Sequence, residues 1–307
     1  MRITLGAFDL EQSRIVLDTL EGLKFPNAEI HLVHVIERLD GRSAPLGETP
    51  HLDLIKTYLK IQEEKGAKIL EDSMAAARGR GFASCSSHVK FGLIGNSLIG
   101  QDPGSDPASR PGESSALGHD LLALGSSGKR PLEGVLIGSV SRKAVVGSRK
   151  SVLVAKQNLS PKRPMTVVFA TDHSPYAAKC LTTFASWQPQ GIGRLVLLTV
   201  FPEELVKAMT SVMDHFKADV AGWLRSELEE ANQKALTPLK TLTKECISRV
   251  ESGRVSDTIA RVMEEEKADL LVLGAQGHGF LDRLTVGSVS LDQVVSRPYS
   301  VLVVRHD

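Results

Sequence analysis

Short apolar runs without polar alternation recur along this chain, Leu121–Leu124 and Leu270–Leu273 being the clearest. Strands buried on both faces of a parallel sheet read this way, whereas half-solvated strands alternate. Between the runs lie segments of helical spacing. Over 53–72, Leu54, Tyr58, Ile61 and Ile69 fall broadly on one face and Lys56, Glu63 and Glu71 toward the other, with Lys65 and Gly66 as imperfections in the stripe. Each half then reads strand, helix, strand, long helix, strand, helix, strand, glycine loop, helix, strand. Alternating strands and helices predict a doubly wound parallel sheet.

The pattern occurs twice. Residues 121–156 match 270–305: Gly125, Gly128 and Gly138 correspond to Gly274, Gly277 and Gly287, each pair 149 positions apart. The Gly-Ser-Val-Ser that closes the loop is identical at 138–141 and 287–290. Earlier segments align more loosely: 3–9 with 166–172, 30–37 with 194–202, and 88–99 with 248–260. The first half carries 12 extra residues between Gly92 and Gly125, visible as the Pro-, Gly- and Ser-rich stretch 100–115. Pro103, Pro107 and Pro111 disfavour a helix there, each costing about 3 kcal/mol inside one. The polar, proline-bearing stretch Gln157–Pro164 is the expected joint, giving domains at 1–157 and 164–307.

In an open parallel sheet, ligands bind beyond the carboxyl ends of the strands, where strand order reverses. The glycine loop follows such a strand. Gly274 and Gly277 are expected to allow close backbone approach and φ > 0. Gly287 and Ser288 stand where the next helix begins. Backbone N–H groups and the helix dipole favour a phosphate there. Ser288 and Ser290 offer hydroxyls, unless they serve as caps.

The spacing Gly-x2-Gly-x9-Gly-Ser resembles the nucleotide-binding motif of ATP-binding universal stress proteins. Asp172-His173-Ser174, Thr199-Val200 and the run 300–305 add to the resemblance, which covers nearly the whole chain as two copies. It implies two tandem doubly wound five-stranded parallel-sheet α/β domains, Rossmann-like and similar to the adenine nucleotide alpha hydrolases. It also implies an ATP (adenine nucleotide) ligand. Asp172 and the backbone of Val200 would face adenine, with Leu273 and Gly274 along the base and ribose. Gly277, Gly287, Ser288, Val289 and Ser290 would hold ribose and phosphates. The first-half counterparts are Asp9, Val35, Leu124, Gly125, Gly128, Gly138, Ser139, Val140 and Ser141. Mg2+ would be ATP's companion, although the sequence names no ligand for it. Against these roles, either Asp could instead cap the helix that follows it. Leu10 and Glu11 stand where the second half has His173 and Ser174, and a charge at Glu11 would oppose a polyphosphate. The second half is therefore expected to bind more strongly.

Composition removes other classes. A net charge of +1 gives no global field toward nucleic acid or anionic membrane. Three cysteines (Cys85, Cys180, Cys246), with no CxxC pair, fit a reducing compartment rather than a disulfide framework. No signal peptide and no membrane-length apolar run is read, so the expected location is cytoplasmic. A Walker loop is absent, because Lys129 is followed by Arg130. His278 reads as a loop residue, His31 and His34 as structural, Glu264–Glu266 as a solvated helix face, and Trp187 and Trp223 as core or interface. Three functions are carried forward. The first is a non-catalytic, nucleotide-sensing stress-response regulator. The second is a scaffold, the resemblance implying that its two halves pair through the last strands, 151–156 and 300–305, with a homodimer as a further option. The third, an adenylyl-transferring enzyme, lacks the expected Ser/Gly loop or His-x-x-His strand end.

Overall fold

In this computed structural model, residues 1–37, 50–101, 118–126, 137–157, 159, 163–213, 219–276 and 286–306 are described. The first half runs β1 (Arg2–Gly6), α1 (Leu10–Leu23), β2 (Glu29–Ile36), α2 (Pro50–Gly79), β3 (Ser84–Phe91), α3 (Ile94–Ile99), β4 (Leu121–Gly125), α4 (Ser139–Gly147) and β5 (Ser151–Ala155). The second runs β6 (Met165–Ala170), α5 (Pro175–Ser186), β7 (Ile192–Phe201), α6 (Glu203–Met213), α7 (Val220–Ala235), β8 (Glu245–Ser252), α8 (Val255–Glu265), β9 (Leu270–Gly274), α9 (Ser288–Ser296) and β10 (Ser300–Val304). Where one long helix is expected after the second strand, the second half therefore has two.

The ten strands form one mixed sheet in the order β3-β2-β1-β4-β5-β10-β9-β6-β7-β8. Order reverses between β1 and β4, and again between β6 and β9. All pairings are parallel except β5 with β10, where Leu153 faces Leu302. The halves are thus not separate sheets. Val152, Leu153, Val154, Val301, Leu302 and Val303 are fully buried at this seam. Each such side chain contributes roughly 1.5–3 kcal/mol of burial.

Side chains alternate between two cores. Ile3, Leu5, Leu153, Phe169 and Leu302 face α1, α2, α5 and α7 in a cluster that runs across the seam. Leu122, Leu124, Val154, Leu271 and Val303 face α3, α4, α8 and α9. Both faces are covered, which accounts for the unbroken apolar runs.

The predicted stripe on α2 is only half right. Leu54, Tyr58 and Ile61 are exposed, while Gly66, Leu70, Ser73 and Ala77 are buried. The helix meets the sheet only over its second part. There Gly66 permits the approach, since a Cβ on it would lie 2.6 Å from the His34 ring. The proline-rich stretch from 102 onward lies outside the described residues. Before it, α3 is only six residues long and stops at Gly100 in the left-handed region.

Candidate functional site

Both strand-order reversals carry the same local construction. Beyond β4, helix α4 starts on Gly138, and beyond β9, helix α9 starts on Gly287, in both cases without a side-chain cap hydrogen bond. Among the described residues, then, no N-cap side chain occupies the first-turn N–H groups of either helix, an arrangement that suits an anion. Ser141 Oγ donates to the Gly125 carbonyl at 3.0 Å, and Ser290 Oγ donates to the Gly274 carbonyl at 2.8 Å. This bond fastens the helix to the end of its strand. Along each helix start the first serine (Ser139, Ser288) is exposed, the valine (Val140, Val289) half-buried and the second serine buried. The buried serines serve the backbone, so the exposed pair is the one open to a ligand.

Other expected residues divide in the same way. Val35, Leu124 and Leu273 are core side chains, leaving only their backbone to a ligand, whereas Val200 is half-buried. The positive φ expected at Gly274 does not occur, and Gly277, the other glycine of that expectation, lies outside the described residues. Among the described residues, glycines with positive φ are Gly81, Gly100 and Gly253. Gly125 matters through the missing Cβ, and Gly138 and Gly287 as the starts of their helices. Gly128, Gly277 and His278 lie outside the described residues.

The two halves part at the end of their first strands. Asp9 is the N-cap of α1, its carboxylate accepting from the Gln12 N–H at 2.7 Å. Gln12 then lies over Gly125, where an added Cβ would come 2.3 Å from Gln12 Oε1. That oxygen is buried and has no hydrogen-bond partner. In the second half Ser174 caps α5 by accepting from the Ala177 N–H. Asp172 stands two residues earlier and accepts from the Ser174 N–H at 2.9 Å. Around Gly274 an added Cβ meets nothing closer than 3.4 Å, the neighbours being Cys180, Gln276 and Tyr176. Between Asp172 and Ser174, His173 holds a left-handed φ of 59°, an uncommon conformation for a residue with a Cβ.

His173 is anchored from behind. Asn232, fully buried on α7, donates from Nδ2 to Ser248 Oγ, so its Oδ1 is the acceptor for the Thr199 hydroxyl at 2.7 Å. Thr199 Oγ1 in turn accepts from His173 Nε2 at 3.0 Å. This order of donors puts a proton on Nε2. The periodicity of the chain gives no hint of this buried relay: Thr199 enters the sequence reading only as a strand-end match, and Asn232 not at all.

Several set-aside residues also find places. His31 Nδ1 meets Ser86 Oγ and His34 Nδ1 meets the Ala7 carbonyl, both as structural contacts. Glu265 and Glu266 are not a bare solvated face: they join Arg194, Arg249, Arg261, Glu245 and Glu251 in one ion-pair network. Trp187 packs edge-on to Phe25 across the two halves, whereas Trp223 is 54% exposed and belongs to neither a core nor the seam. The three cysteines are unpaired. Burial pushes the Cys180 thiol up to about 12, which makes it inert. Among the described residues no group of three metal-ligating side chains converges and no helix is long and apolar enough to cross a membrane. Two open cavities of about 590 and 510 Å³, one at the seam and one beside α6 and α7, have no described residue of either glycine motif in their lining.

With this geometry in view, comparison with known proteins gives a consistent result. A model of the Universal stress protein family matches residues 110–156 and 165–305, more than half of the chain. Among solved structures, a universal stress protein from Archaeoglobus fulgidus is 19% identical over 99% of this chain and 96% of its own, with a TM-score of 0.61. A protein from Pseudomonas aeruginosa is 14% identical over 99% of this chain and 92% of its own, with a TM-score of 0.58. At such identities the likeness is one of fold. None of the curated proteins matches the chain.

Proposed function

The chain belongs to the universal stress protein family, and on that premise we propose that it binds an adenine nucleotide, ATP, as a stress-response sensor or regulator. Members of the family are generally non-catalytic binding and regulatory proteins. We read the chain as a tandem pair of adenine nucleotide alpha hydrolase-like units, 1–157 and 164–307, each with its own candidate site. The observation that carries the binding reading is the repeated helix start: Gly138 and Gly287 open α4 and α9 without a side-chain cap, at the two strand-order reversals. In the second half the phosphates meet the N–H groups of Ser288 and Val289 and the Ser288 hydroxyl, with Gly277 and Gly287 giving close approach. The base lies toward Asp172, the Val200 backbone and Gly274. Mg2+ would arrive with ATP, held chiefly by its phosphates.

The first half has the same helix start, but its Asp9 is engaged as a cap and Gln12 covers Gly125. That half supports the second reading, a scaffold unit with little or no nucleotide, joined to its neighbour through β5 and β10. The test is the nucleotide content of the freshly purified protein, released by denaturation and resolved by ion exchange. About one equivalent of ATP per chain is expected, and two would equalise the halves. A preparation without nucleotide that also gives no titration heat with ATP and magnesium would leave only the scaffold reading.

A further inference from the structure

The turn that leads out of β6 is built from side chains that hold backbone. The His173 N–H donates to Thr171 Oγ1 at 3.1 Å, the Ser174 N–H to Asp172 Oδ1, and the Ala177 N–H to Ser174 Oγ. His173 stands left-handed in the middle. Such a conformation in a residue with a Cβ persists where its surroundings over-determine it. Those three bonds are local. The bond from His173 Nε2 to Thr199 comes from elsewhere in the fold.

What lies behind that bond is rigid. Thr199 is 3% exposed and Asn232 is fully buried. Asn232 Nδ2 lies 3.0 Å from Ser248 Oγ and 3.4 Å from both the Leu197 and Arg249 carbonyls. A carbonyl only accepts, so the amide has one orientation and its Oδ1 takes the Thr199 proton. The Thr199 oxygen is then left to accept from the imidazole. This chain of bonds ties α7 and β8 to the strand end where Asp172 stands.

The first half builds the same corner differently. Its imidazole comes from the end of β2, as His34, whose Nδ1 meets the Ala7 carbonyl. The long helix meets that ring with Gly66, where a Cβ would lie 2.6 Å away. No left-handed residue follows Asp9, which caps α1 directly. Imidazole on the strand goes with the aspartate in the cap, and imidazole in the turn with the aspartate outside it.

We propose that Thr199 and Asn232 are positioning residues for the second-half site. They hold His173 in its left-handed turn, and through it keep Asp172 at the strand end instead of in the helix cap that Asp9 occupies. What Asp172 is positioned for rests on the nucleotide reading of that half, whereas the positioning itself does not.

The experiment uses the full chain. Thr199→Val removes the hydroxyl at nearly constant shape, and Thr199→Ser keeps it. His173→Phe removes the ring donor without touching the buried pair. Amide hydrogen exchange at Ser174, followed by NMR without added nucleotide, reports the bond to Asp172, and equilibrium dialysis reports ATP affinity. Thr199→Val and His173→Phe should each speed Ser174 exchange about tenfold and weaken ATP binding about tenfold. Thr199→Ser should stay near native in both readouts. The double variant Thr199→Val with His173→Phe should be no worse than either single one, because both act through the same bond. Unchanged Ser174 exchange in the two single variants overturns the proposal. So do losses that multiply in the double variant, or a Thr199→Ser protein as impaired as Thr199→Val. If the native protein binds no ATP, the nucleotide reading falls, and the exchange data decide the positioning on their own.

Discussion

At the end of β1, Asp9 caps α1; at the end of β6 that task falls to Ser174, two residues beyond Asp172. Around this difference the two glycine-loop frames are alike, down to the serine hydroxyl bonded to the strand-end carbonyl. Two extra residues of backbone, with His173 at positive φ, take Asp172 out of the helix start. The same glycine motif can thus stand over two unlike floors, one covered by Gln12 and one bordered by Asp172, His173 and Tyr176. A loop motif therefore predicts a ligand only together with the strand end facing it.

The strongest way to break the comparison is to remove both loop glycines in one half at a time. Gly277→Val with Gly287→Val should lower ATP affinity by about 100-fold or more, roughly 2.7 kcal/mol. Gly128→Val with Gly138→Val should change it little. Equilibrium dialysis reads the affinity and circular dichroism the fold. Equal losses in the two pairs would show equivalent sites.

Next come the two aspartates. Asp172→Ala should weaken ATP about tenfold with little change in Tm, while Asp9→Ala should cost about 1 kcal/mol of stability and leave binding nearly intact. Titration calorimetry and urea unfolding on both variants check this. An Asp9→Ala protein that loses nucleotide rather than stability contradicts the capping role.

The seam offers a contrast of similar size. Burial pushes the Lys156 ammonium down from 10.5 to about 8. The unfolded lysine keeps its proton to about 10.4. Between these values the unfolded chain binds more protons, so stability from this group rises with pH, by about 1 kcal/mol per pH unit near 8–9. Cys180, raised to about 12, acts oppositely above its ordinary 9.0. Subtracting the urea-unfolding profile of Lys156→Met from that of the native protein isolates the lysine term. A flat difference from pH 7 to 9 contradicts it.

The smallest effect is expected from Gln12→Ala. It removes a buried oxygen without a partner and uncovers Gly125. ATP affinity of the first half should rise about threefold, under 1 kcal/mol, read as a second class of sites in calorimetry. No second class in the variant would show that something other than Gln12 closes that half.

Much of the architecture is legible in the chain because parallel strands covered on both faces must be apolar throughout. Leu121–Leu124 and Leu270–Leu273 could hardly read otherwise. The repeated glycines likewise announce where α4 and α9 begin. Pairing between distant strands is less visible. Nothing in Val152–Val154 or Val301–Val303 says that these strands meet antiparallel, since apolar strands fit many partners. Leu54, Tyr58 and Ile61 show the opposite failure, having helical spacing without a surface to cover. Capping is the subtlest case. Asp9 and Asp172 look alike in sequence, and the two-residue shift to Ser174 emerges only with the backbone.

The pairing of Leu153 with Leu302 also has a consequence during synthesis. β5 leaves the ribosome with its inner partner β4 already made, but its outer partner follows 149 residues later. At ordinary elongation rates of about 5–20 residues per second, that is a wait of roughly 7–30 s. Throughout it, Val152, Leu153 and Val154 form a flat apolar edge, the kind of template that nascent chains use to aggregate with one another. The strand that makes the mature molecule one continuous sheet is therefore its most vulnerable edge while it is being born, and the place where a chaperone would have most to protect.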